Sequence, residues 1–281
     1  MSVTSSMSDS SPMPRAVPRV TVVMPAFNES AEIMTASLDS IAAQTLQDFE
    51  CLVIDESTKP EAAATCRALC ERDARFRYIH PDTRIGLAAS LNLGIAQARA
   101  PLIARFDSDD VCLPHRLERQ VAYLDQHPDV DVLGGGLEIF SADRGVIAVR
   151  EYPVDAETIE RRFQTTTPIA HPTVMMRRAV LERAGAYDPS FRFAEDLDLW
   201  LRLLNLGARF ANLPEVLVRY RQQSTRRNPQ HWQFNLRART KNFSTRQLPR
   251  RVLGLLAIAT WRIVPASIQE RVFHHLLLRK G

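Results

Sequence analysis

Between residues 19 and 128, short β-branched apolar runs alternate with longer amphipathic stretches, and this alternation restricts the fold more than any other feature of the chain. The spacing predicts strands at residues 20–25, 49–54, 76–79 and 102–106, each followed by a helix. Alternating strands and helices build a mainly parallel sheet with helices on both faces, because each crossover returns the chain in the same direction. The chain is therefore predicted to adopt an α/β fold of three layers, α/β/α, around a mainly parallel mixed sheet.

Polar loops follow the first, second and fourth predicted strands, at residues 25–29, 55–58 and 107–110. In open parallel sheets the ligand crevice lies beyond the carboxyl ends of the strands, so these loops are expected to converge on one site. No Gly-x-Gly-x-x-Gly follows the first strand and no Gly-Lys-Ser/Thr occurs in the chain, which argues against a dinucleotide fold and a phosphate loop. A phosphate bound here would therefore be held through a metal ion.

The third of these loops carries three carboxylates within four residues, directly after an apolar run. Alternate residues of an extended chain point the same way, so Asp107 and Asp109 would share one divalent cation of the kind that prefers oxygen ligands. Such an ion suits a diphosphate ligand. An Asp-rich turn that only caps the following helix has the same local pattern, and the two interpretations stay open at this point.

A second group of acids, at residues 195, 196 and 198, opens an apolar helix in the second half of the chain. Acidic residues in a first helical turn are ordinary partners of the helix dipole. Two adjacent carboxylates also make a candidate general base, because the charge of one raises the pKa of the other. The glycines at 134–136 interrupt an apolar run, which favours a strand or bulge over a phosphate cradle.

The cysteines and the N-terminal residues both favour a cytoplasmic protein. No two of the four cysteines have the two-residue spacing of a zinc knuckle or redox motif. Cys66 and Cys70 lie one helical turn apart, and we expect them to pack in the core rather than bind a metal. Residues 1–18 are rich in Ser, Met and Pro and lack the apolar core of a signal peptide, so a disordered tail is predicted.

The net charge of +4 conceals a division of charge along the chain. Residues 219–281 carry 14 Lys and Arg and one acid, whereas the rest of the chain carries 22 basic and 31 acidic groups. An acidic body with a basic arm indicates an anionic partner for the arm.

The basic arm is predicted to form helices at residues 230–247 and 250–278. Apolar residues at helical spacing between arginines are typical of a helix that lies on an anionic membrane, which would place the protein at the inner face of the cytoplasmic membrane. A helical cap on the acidic body or a dimer contact is the alternative. Nucleic acid is not expected as a partner, because the arm carries no motif that reads it.

Five motifs then occur in one order along the chain: Val-Met-Pro-Ala-Phe-Asn-Glu (23–29), Val-Ile-Asp-Glu (53–56), Asp-Ser-Asp-Asp (107–110), His-Pro-Thr (171–173) and Ala-Glu-Asp-Leu-Asp-Leu-Trp (194–200). Together they resemble the family-two inverting glycosyltransferases of bacteria, over about residues 20–222. The resemblance implies a GT-A fold, the type of nucleotide-diphospho-sugar transferases. It divides the chain into the tail (1–18), a catalytic domain (19–222) and a basic helical extension (223–281).

The same resemblance implies an activity. The enzyme would move a sugar, with inversion, from a nucleotide-diphosphate donor of the UDP-sugar type to a hydroxyl of a glycan or lipid-linked acceptor in cell-surface polysaccharide synthesis. It would use Mn²⁺ or Mg²⁺. Residues 19–112 would bind the nucleotide sugar and residues 113–222 the acceptor.

The resemblance also assigns roles to individual residues. Asp107 and Asp109 would hold the metal, and Asp196 would be the catalytic base with Glu195 as its neighbour. His171 and Trp200 would lie on the acceptor side, although a structural histidine is an equal interpretation of His171. The donor would contact Pro25, Phe27, Glu29, Asp55, Glu56, Arg84, Gly86, Asp107, Ser108 and Asp110.

Two positions depart from the family's pattern. Glu56 stands where the family commonly has Asp, and Gln223 stands where related sequences often have a histidine that helps to hold metal or phosphate. These departures leave a second hypothesis, a non-catalytic module that binds nucleotide sugars or glycans. Nucleotidyl transfer is disfavoured because residues 25–30 contain no Lys or Arg.

Overall fold

The computed structural model describes residues 16–222, 230–261 and 264 of the chain. The first half follows the predicted alternation, and β2, β1 and β4 pair in parallel, with β3 parallel to β2 on the outer side. Most of the predicted tail at 1–18 lies outside the described residues. The elements of this half are β1 (Val20–Ala26), α1 (Ala31–Ala42), β2 (Phe49–Asp55), α2 (Pro60–Cys70), β3 (Phe76–Ile79), α3 (Leu87–Gln97) and β4 (Leu102–Arg105).

The second half extends the same sheet with antiparallel strands. The order of strands is β3-β2-β1-β4-β8-β6-β9-β5, and β7 pairs with β6 outside this path. β8 runs antiparallel to both β4 and β6, whereas β6 and β9 are parallel. The elements are β5 (Val111–Cys112), α4 (Arg116–Gln126), β6 (Val132–Ser141), β7 (Gly145–Arg150), α5 (Ala156–Phe163), a 3-10 helix (His171–Thr173), β8 (Met175–Arg177), α6 (Arg178–Ala184), α7 (Glu195–Asn205) and β9 (Phe210–Arg221).

Two apolar cores lie on opposite faces of the sheet, because successive residues of a strand point to opposite sides. Val22 and Met24 of β1 pack with α1, α2 and α4, while Val23 packs with α3, α5, α6 and α7. Cys66 and Cys70 are buried in the first core, as their spacing predicted. The prediction of a three-layer α/β/α fold around a mixed sheet is confirmed.

The glycines of β6 form a bulged strand, which confirms the sequence-based interpretation. The pairing of β6 with β9 shifts register on both sides of Gly136. A Cβ on Gly135 would lie 2.4 Å from Cδ1 of Leu217, and one on Gly136 would lie 3.1 Å from the carbonyl oxygen of Glu215. Glycine suits these positions, because a side chain on Gly135 would displace that of Leu217 and one on Gly136 would crowd the backbone of β9.

The basic arm contributes two described helices, α8 (His231–Lys241) and α9 (Leu248–Trp261). The predicted first helix, 230–247, was too long, because α8 ends at Lys241. The predicted continuation of the second helix to residue 278 lies outside the described residues, apart from residue 264. No helix within the described ranges is long and apolar enough to cross a membrane.

Helix α8 docks on α7 through a buried carboxylate. Asp198 is fully buried, and its Oδ1 accepts hydrogen bonds from Nδ2 of Asn242 and from Nζ of Lys241, both at 2.9 Å. Its Oδ2 accepts from Nε of Arg202 at 2.9 Å. Farther along, the buried Arg239 donates to the carbonyl oxygens of Phe163 and Gln164. The basic residues of α8 therefore hold the arm against the sheet domain.

We expect Asn242→Ala to lower the free energy of unfolding by about 1–3 kcal/mol, because one oxygen of the buried Asp198 loses a donor. Chemical denaturation measures this change. Gln233→Ala is the matched control, since Gln233 is exposed on the same helix and should tolerate the change within about 0.5 kcal/mol. Equal stability of the two variants would show that the contact between α7 and α8 contributes nothing.

Candidate active site

The first loop, which follows β1, is tied to the second loop by Asn28. Asn28 has a left-handed backbone with φ of 57°, and its Oδ1 accepts from the backbone N–H groups of Thr58 and Lys59 at 3.0 Å. Ser30, and not Asn28, caps α1, because the side chain of Asn28 binds the loop that leads into α2.

Asp55, at the end of β2, is fully buried and engaged with its own chain. Its Oδ1 accepts from the backbone N–H of Ser57 at 2.9 Å, and its Oδ2 accepts from the hydroxyl of Tyr78 at 2.9 Å. Pro25 pairs with Ile54 in the neighbouring strand, one position before Asp55. These contacts fix the ends of β1 and β2 side by side.

Glu56 holds the loop that precedes α3. Its Oε2 accepts from the backbone N–H groups of Ile85 and Gly86, both at 2.8 Å, and its Oε1 accepts from the hydroxyl of Ser90. Gly86 has φ of 85°, in the left-handed region that favours glycine. Both oxygens of Glu56 are thus occupied by donors of the protein, so the structure gives this residue a role in shaping the loop.

Phe27 and Arg84 form a stacked pair at the open side of this loop. The guanidinium carbon of Arg84 lies 3.9 Å from the centroid of the Phe27 ring, and its Nε lies 3.9 Å from Oε2 of Glu56. The Phe27 ring is 38% exposed, so one face remains accessible at this edge. The pair offers a flat cationic and aromatic surface at the edge of the cleft.

The third loop brings its acids against the first loop and β9. The hydroxyl of Ser108 donates to Oε1 of Glu29 at 3.4 Å. Arg221 donates its backbone N–H to Oδ1 of Asp110 at 2.8 Å and its Nε to the carbonyl oxygen of Asp109 at 2.8 Å. The prediction that the three loops converge is confirmed.

Negative charge accumulates at this junction. Burial raises the pKa of Glu29, and the charges of Asp109 and Asp107 raise it further. Burial, then Asp107 and Asp109, raise the pKa of Asp110 well above its ordinary value. Asp110 is fully buried, and its Oδ2 has no hydrogen-bond partner among the described residues. A cation bound between these groups would relieve their mutual repulsion.

The acids of the third loop would supply only some of the ligands that a divalent ion needs. In the described part of the chain, no group of three or more His, Cys, Asp or Glu side chains is arranged to hold a metal. Asp107 and Asp109 would supply two carboxylates, and Mg²⁺ or Mn²⁺ commonly takes its other ligands from substrate phosphates and water. Gln223, the position of the expected histidine, lies outside the described residues.

The second group of acids begins helix α7. Ala194, the residue before it, has φ of 56°, a left-handed conformation that is rare for alanine and turns the chain sharply into the helix. Glu195 is buried, and burial and the charge of Asp196 raise the pKa of Glu195 to about 8. Burial also raises the pKa of Asp196, against the hydrogen bond that its Oδ1 accepts from the backbone N–H of Leu197 at 2.7 Å.

His171 joins this pair, whereas Trp200 does not reach the cleft. Nε2 of His171 lies 2.8 Å from the hydroxyl of Tyr187, and its Nδ1 lies 4.0 Å from Oε1 of Glu195. Burial, followed by the nearby charge of Arg105, lowers the pKa of His171 well below its usual range, so the ring is neutral. Trp200 is fully buried and packs edge-on against His171.

Arg105 is the site residue that the sequence-based reasoning missed. It ends β4 with only 4% of its surface exposed, and it forms an ion pair with Asp107. The positive charge of Arg105 favours ionisation of the two acids at the start of α7, because it lowers the pKa of Glu195 and of Asp196. The available signal was a charged residue inside an otherwise apolar strand, two positions before the first acid.

The raised pKa of Glu195 makes stability depend on pH. A carboxyl whose pKa is 4.5 in the unfolded chain and about 8 in the native state destabilises the native state increasingly as pH rises through that interval. Glu195→Gln removes this ionisation. Its stability relative to the wild type should therefore increase between pH 5 and pH 8, by on the order of 3 kcal/mol.

Urea denaturation of both proteins at the two pH values measures this change. Glu182→Gln is a suitable control, because Glu182 is an exposed acid of α6. A stability difference between wild type and Glu195→Gln that does not change with pH would show that Glu195 titrates normally.

Comparison with solved structures identifies the class to which this fold belongs. The Staphylococcus aureus TarS fragment 1–349 in complex with UDP-GlcNAc matches with a TM-score of 0.62 and 21% identity, over 79% of this chain and 66% of that one. Against a longer TarS structure, the chain covers 39% of that chain's length. The fold is that of the GT-A nucleotide-sugar transferases.

The sequence defines the family. Residues 21–185 match Glycosyl transferase family 2, and the chain belongs to this family of enzymes. The O-antigen biosynthesis glycosyltransferase WbnJ of Escherichia coli is 34% identical over 211 residues, which is 74% of this chain and 81% of that protein. The amylovoran biosynthesis glycosyltransferase AmsE of Erwinia amylovora is 30% identical, over 69% of this chain and 72% of that protein. The protein is a glycosyltransferase.

Proposed function

We propose that this enzyme transfers a sugar from a UDP-sugar to a hydroxyl of a glycan or lipid-linked acceptor, with inversion and with Mn²⁺ or Mg²⁺, in the synthesis of a cell-surface polysaccharide. The observation that carries the proposal is the pairing of two acid groups with different environments. Asp107 and Asp109 lie in the loop after β4, and the charge of Asp107 raises the pKa of the buried Glu195, which adjoins the half-buried Asp196 at the start of α7. Asp107 and Asp109 suit the binding of a cation, whereas Glu195 and Asp196 suit the transfer of a proton.

The donor would bind along the ends of β1, β2 and β4. The Phe27 and Arg84 pair suits a nucleobase stacked at the edge of the cleft, and the Arg84 guanidinium also suits a phosphate oxygen. Asp55 and Glu56 would act mainly by fixing the loops that surround the donor, since their oxygens already accept bonds from the protein. The TarS complex with UDP-GlcNAc supports a uridine donor.

Asp196 would act as the general base. In a single displacement the acceptor oxygen forms a bond to the anomeric carbon while the bond from that carbon to the diphosphate breaks, and the hydroxyl proton passes to Asp196. Its Oδ1 accepts the Leu197 N–H, which leaves Oδ2 to receive the proton. Glu195, largely protonated near neutral pH, would keep a second negative charge away from the base.

Asp107 and Asp109 would hold the divalent ion together with oxygens of the donor diphosphate. When bound, this ion would offset the negative charge that grows on the departing diphosphate. Asp110 is bonded to the backbone of Arg221, and it would support the loop rather than contact the ion. Polysaccharide synthesis as the setting is supported by the names of WbnJ and AmsE.

The test is release of UDP from a panel of UDP-sugars, with and without a membrane-lipid and oligosaccharide acceptor panel. We expect turnover with one or a few donors in Mn²⁺ or Mg²⁺ and none after addition of EDTA. Tight donor binding with no release of UDP for any acceptor would instead support the second hypothesis, a non-catalytic nucleotide-sugar-binding module.

The outer face of α9 is the surface we propose for contact with anionic lipid. Val252, Leu253 and Leu256 are 42%, 62% and 59% exposed on this helix, and the exposed Arg246 and Arg250 flank them. Exposed apolar residues beside arginines favour an interfacial position on an anionic bilayer. The opposite face packs inward, where a Cβ on Gly254 would clash with the carbonyl oxygen of Gln164.

Flotation with phosphatidylglycerol vesicles tests this surface. We expect the wild type to float, the double variant Leu253→Gln/Leu256→Gln to lose at least about tenfold in vesicle affinity, and neutral vesicles to bind weakly. Leu206→Gln is the control, because Leu206 is an equally exposed leucine away from α9. Wild-type protein that does not bind anionic vesicles, or that dimerises through α9, would contradict the proposal.

A further inference from the structure

Arg105 is fixed by its backbone at the centre of the site. Its N–H donates to the carbonyl oxygen of Val174 at 3.0 Å, and its carbonyl oxygen accepts from Nη2 of Arg116 at 2.7 Å. Its side chain is 5% exposed and Nη1 donates to Oδ2 of Asp107. A buried guanidinium held in this way needs a carboxylate, because a lone buried charge is strongly disfavoured.

One buried donor, Nε of Arg105, and one buried acceptor, Oδ2 of Asp110, have no hydrogen-bond partner among the described residues. Buried polar atoms are rarely left unsatisfied, so an unsatisfied donor and an unsatisfied acceptor on two interacting residues point to a second arrangement of the same groups. The charges of Arg105 and Asp110 already interact. Asp110 is itself held in place, since its Oδ1 accepts from the backbone of Arg221.

Asp107 therefore has two competing partners. Its carboxylate is 22% exposed and is engaged by Arg105, whereas the proposed function requires it to bind a divalent ion on the side of the cleft. Guanidinium and ion are both cations that draw on the charge of the same carboxylate, and Arg105 already occupies its Oδ2. If the ion takes Asp107, that ion pair weakens, and the unpartnered Oδ2 of Asp110, whose charge already acts on Arg105, is a buried acceptor open to the guanidinium.

We propose that Arg105 is a positioning residue that exchanges partners, from Asp107 when the ion is absent to Asp110 when the ion is bound; this inference rests on the proposed role of Asp107 as a metal ligand. The exchange makes the ion compete with an internal ion pair. Binding of the ion alone is then weak, and oxygens of the donor diphosphate are needed to complete a tight site.

A double-mutant cycle on Mn²⁺ binding without donor tests the exchange, with free Mn²⁺ followed by electron paramagnetic resonance. We expect Arg105→Gln to tighten Mn²⁺ binding about tenfold, because the competitor is removed. Asp110→Asn should weaken it, because the guanidinium loses its second partner. In the Arg105→Gln background, Asp110→Asn should have a clearly smaller effect. Asp110 then has no guanidinium to bind, so the substitution removes only the long-range effect of its negative charge.

Other outcomes separate this inference from the proposed function. If Asp107→Asn does not weaken Mn²⁺ binding, the metal role of Asp107 fails. If Asp107→Asn weakens binding but Arg105→Gln does not tighten it, or the Asp110 effect is equal in both backgrounds, the exchange alone is overturned.

A measurement on the wild-type side chain covers the case in which Arg105→Gln does not fold. The Nε–H resonance of Arg105, assigned by its absence from the Arg105→Lys spectrum, should shift on saturation with Mg²⁺ as it gains the Asp110 carboxylate. Slower exchange of this proton with water should accompany the shift. A resonance that does not change on addition of Mg²⁺ would overturn the exchange.

Discussion

Asp196→Asn is expected to lower the rate of sugar transfer by about 10²–10⁴-fold while the affinity for the donor changes little. The amide is nearly the same size and accepts the Leu197 N–H through the same oxygen, so the start of α7 should keep its shape. The amide carries no negative charge, so it does not accept the proton of the acceptor hydroxyl. The loss should therefore fall on kcat, because deprotonation takes place only as the acceptor attacks.

The measurement compares transfer rates of wild type, Asp196→Asn and Asp125→Asn. Asp125 is an exposed acid that pairs with Arg19 on the surface, so its amide variant is a matched control. Thermal unfolding verifies that all three proteins are folded. Full activity of a folded Asp196→Asn variant would remove this residue as the base.

The pH profile of the wild type should agree with that assignment. Burial raises the pKa of Asp196, and burial with the charge of Asp196 raises the pKa of Glu195 to about 8. The base works only when deprotonated, so the rate should increase with pH through a range above that of an exposed carboxyl. Asp196 loses its proton before Glu195, whose pKa the charge of Asp196 raises, so Glu195→Gln should leave the ascending limb nearly unchanged.

Asp107→Asn should weaken the binding of the donor in the presence of Mn²⁺ by at least about tenfold and should leave metal-free binding nearly unchanged. The amide keeps one neutral oxygen but loses the charge that a hard cation requires. Asp109→Asn should act in the same direction. Isothermal titration of the donor with and without Mn²⁺ measures both effects.

Asp129→Asn is the control for these titrations, because Asp129 pairs with Arg209 far from the cleft. If Asp107→Asn lowered donor affinity equally with and without Mn²⁺, the residue would contact the donor or shape the loop. The ion would then have to be held elsewhere.

The elements that the sequence predicted well are those with strong local periodicity. β1, β2, β3 and β4 each appear as an apolar run that ends in a polar loop, and the rule for parallel sheets places their loops together. β5 has only two residues and pairs with β9, more than a hundred residues away in the chain. Such a strand has no local signature, because its partner supplies the pairing.

Within the site, residue types were easier to predict than their partners. The acids at 107–110 and 195–196 were identified from the sequence, and in the structure Asp107 lies close enough to Glu195 for its charge to raise the pKa of Glu195. The roles of Asn28, Glu56 and Arg105 depend on backbone groups of distant loops, and no spacing along the chain reveals which N–H faces which oxygen. The left-handed conformation of Ala194 is also hidden, since alanine rarely adopts it, whereas asparagine, as at Asn28, adopts it more often.

For the basic arm too, the sequence did not show which charged residues have partners within the protein. Its net charge of +13 came from counting residues 219–281, and counting treats every cation as available to a partner. In the structure, Arg239 and Arg251 are buried and Lys241 pairs with Asp188 and Asp198, so these cations hold α8 and α9 to the domain. Arg246 and Arg250 are exposed beside the apolar face of α9, and Nη2 of Arg246 also lies 3.7 Å from Oε1 of Glu160.

A thermal-shift panel of nucleotide sugars, each with and without Mn²⁺, tests metal-dependent donor binding, because stabilisation of the native state reports donor and ion together. We expect one UDP-sugar or a small set to raise the Tm only when Mn²⁺ or Mg²⁺ is present, and Asp107→Asn to abolish the effect. No change in Tm with any nucleotide sugar, or a shift that is equal without the ion, would contradict a metal-dependent sugar transferase.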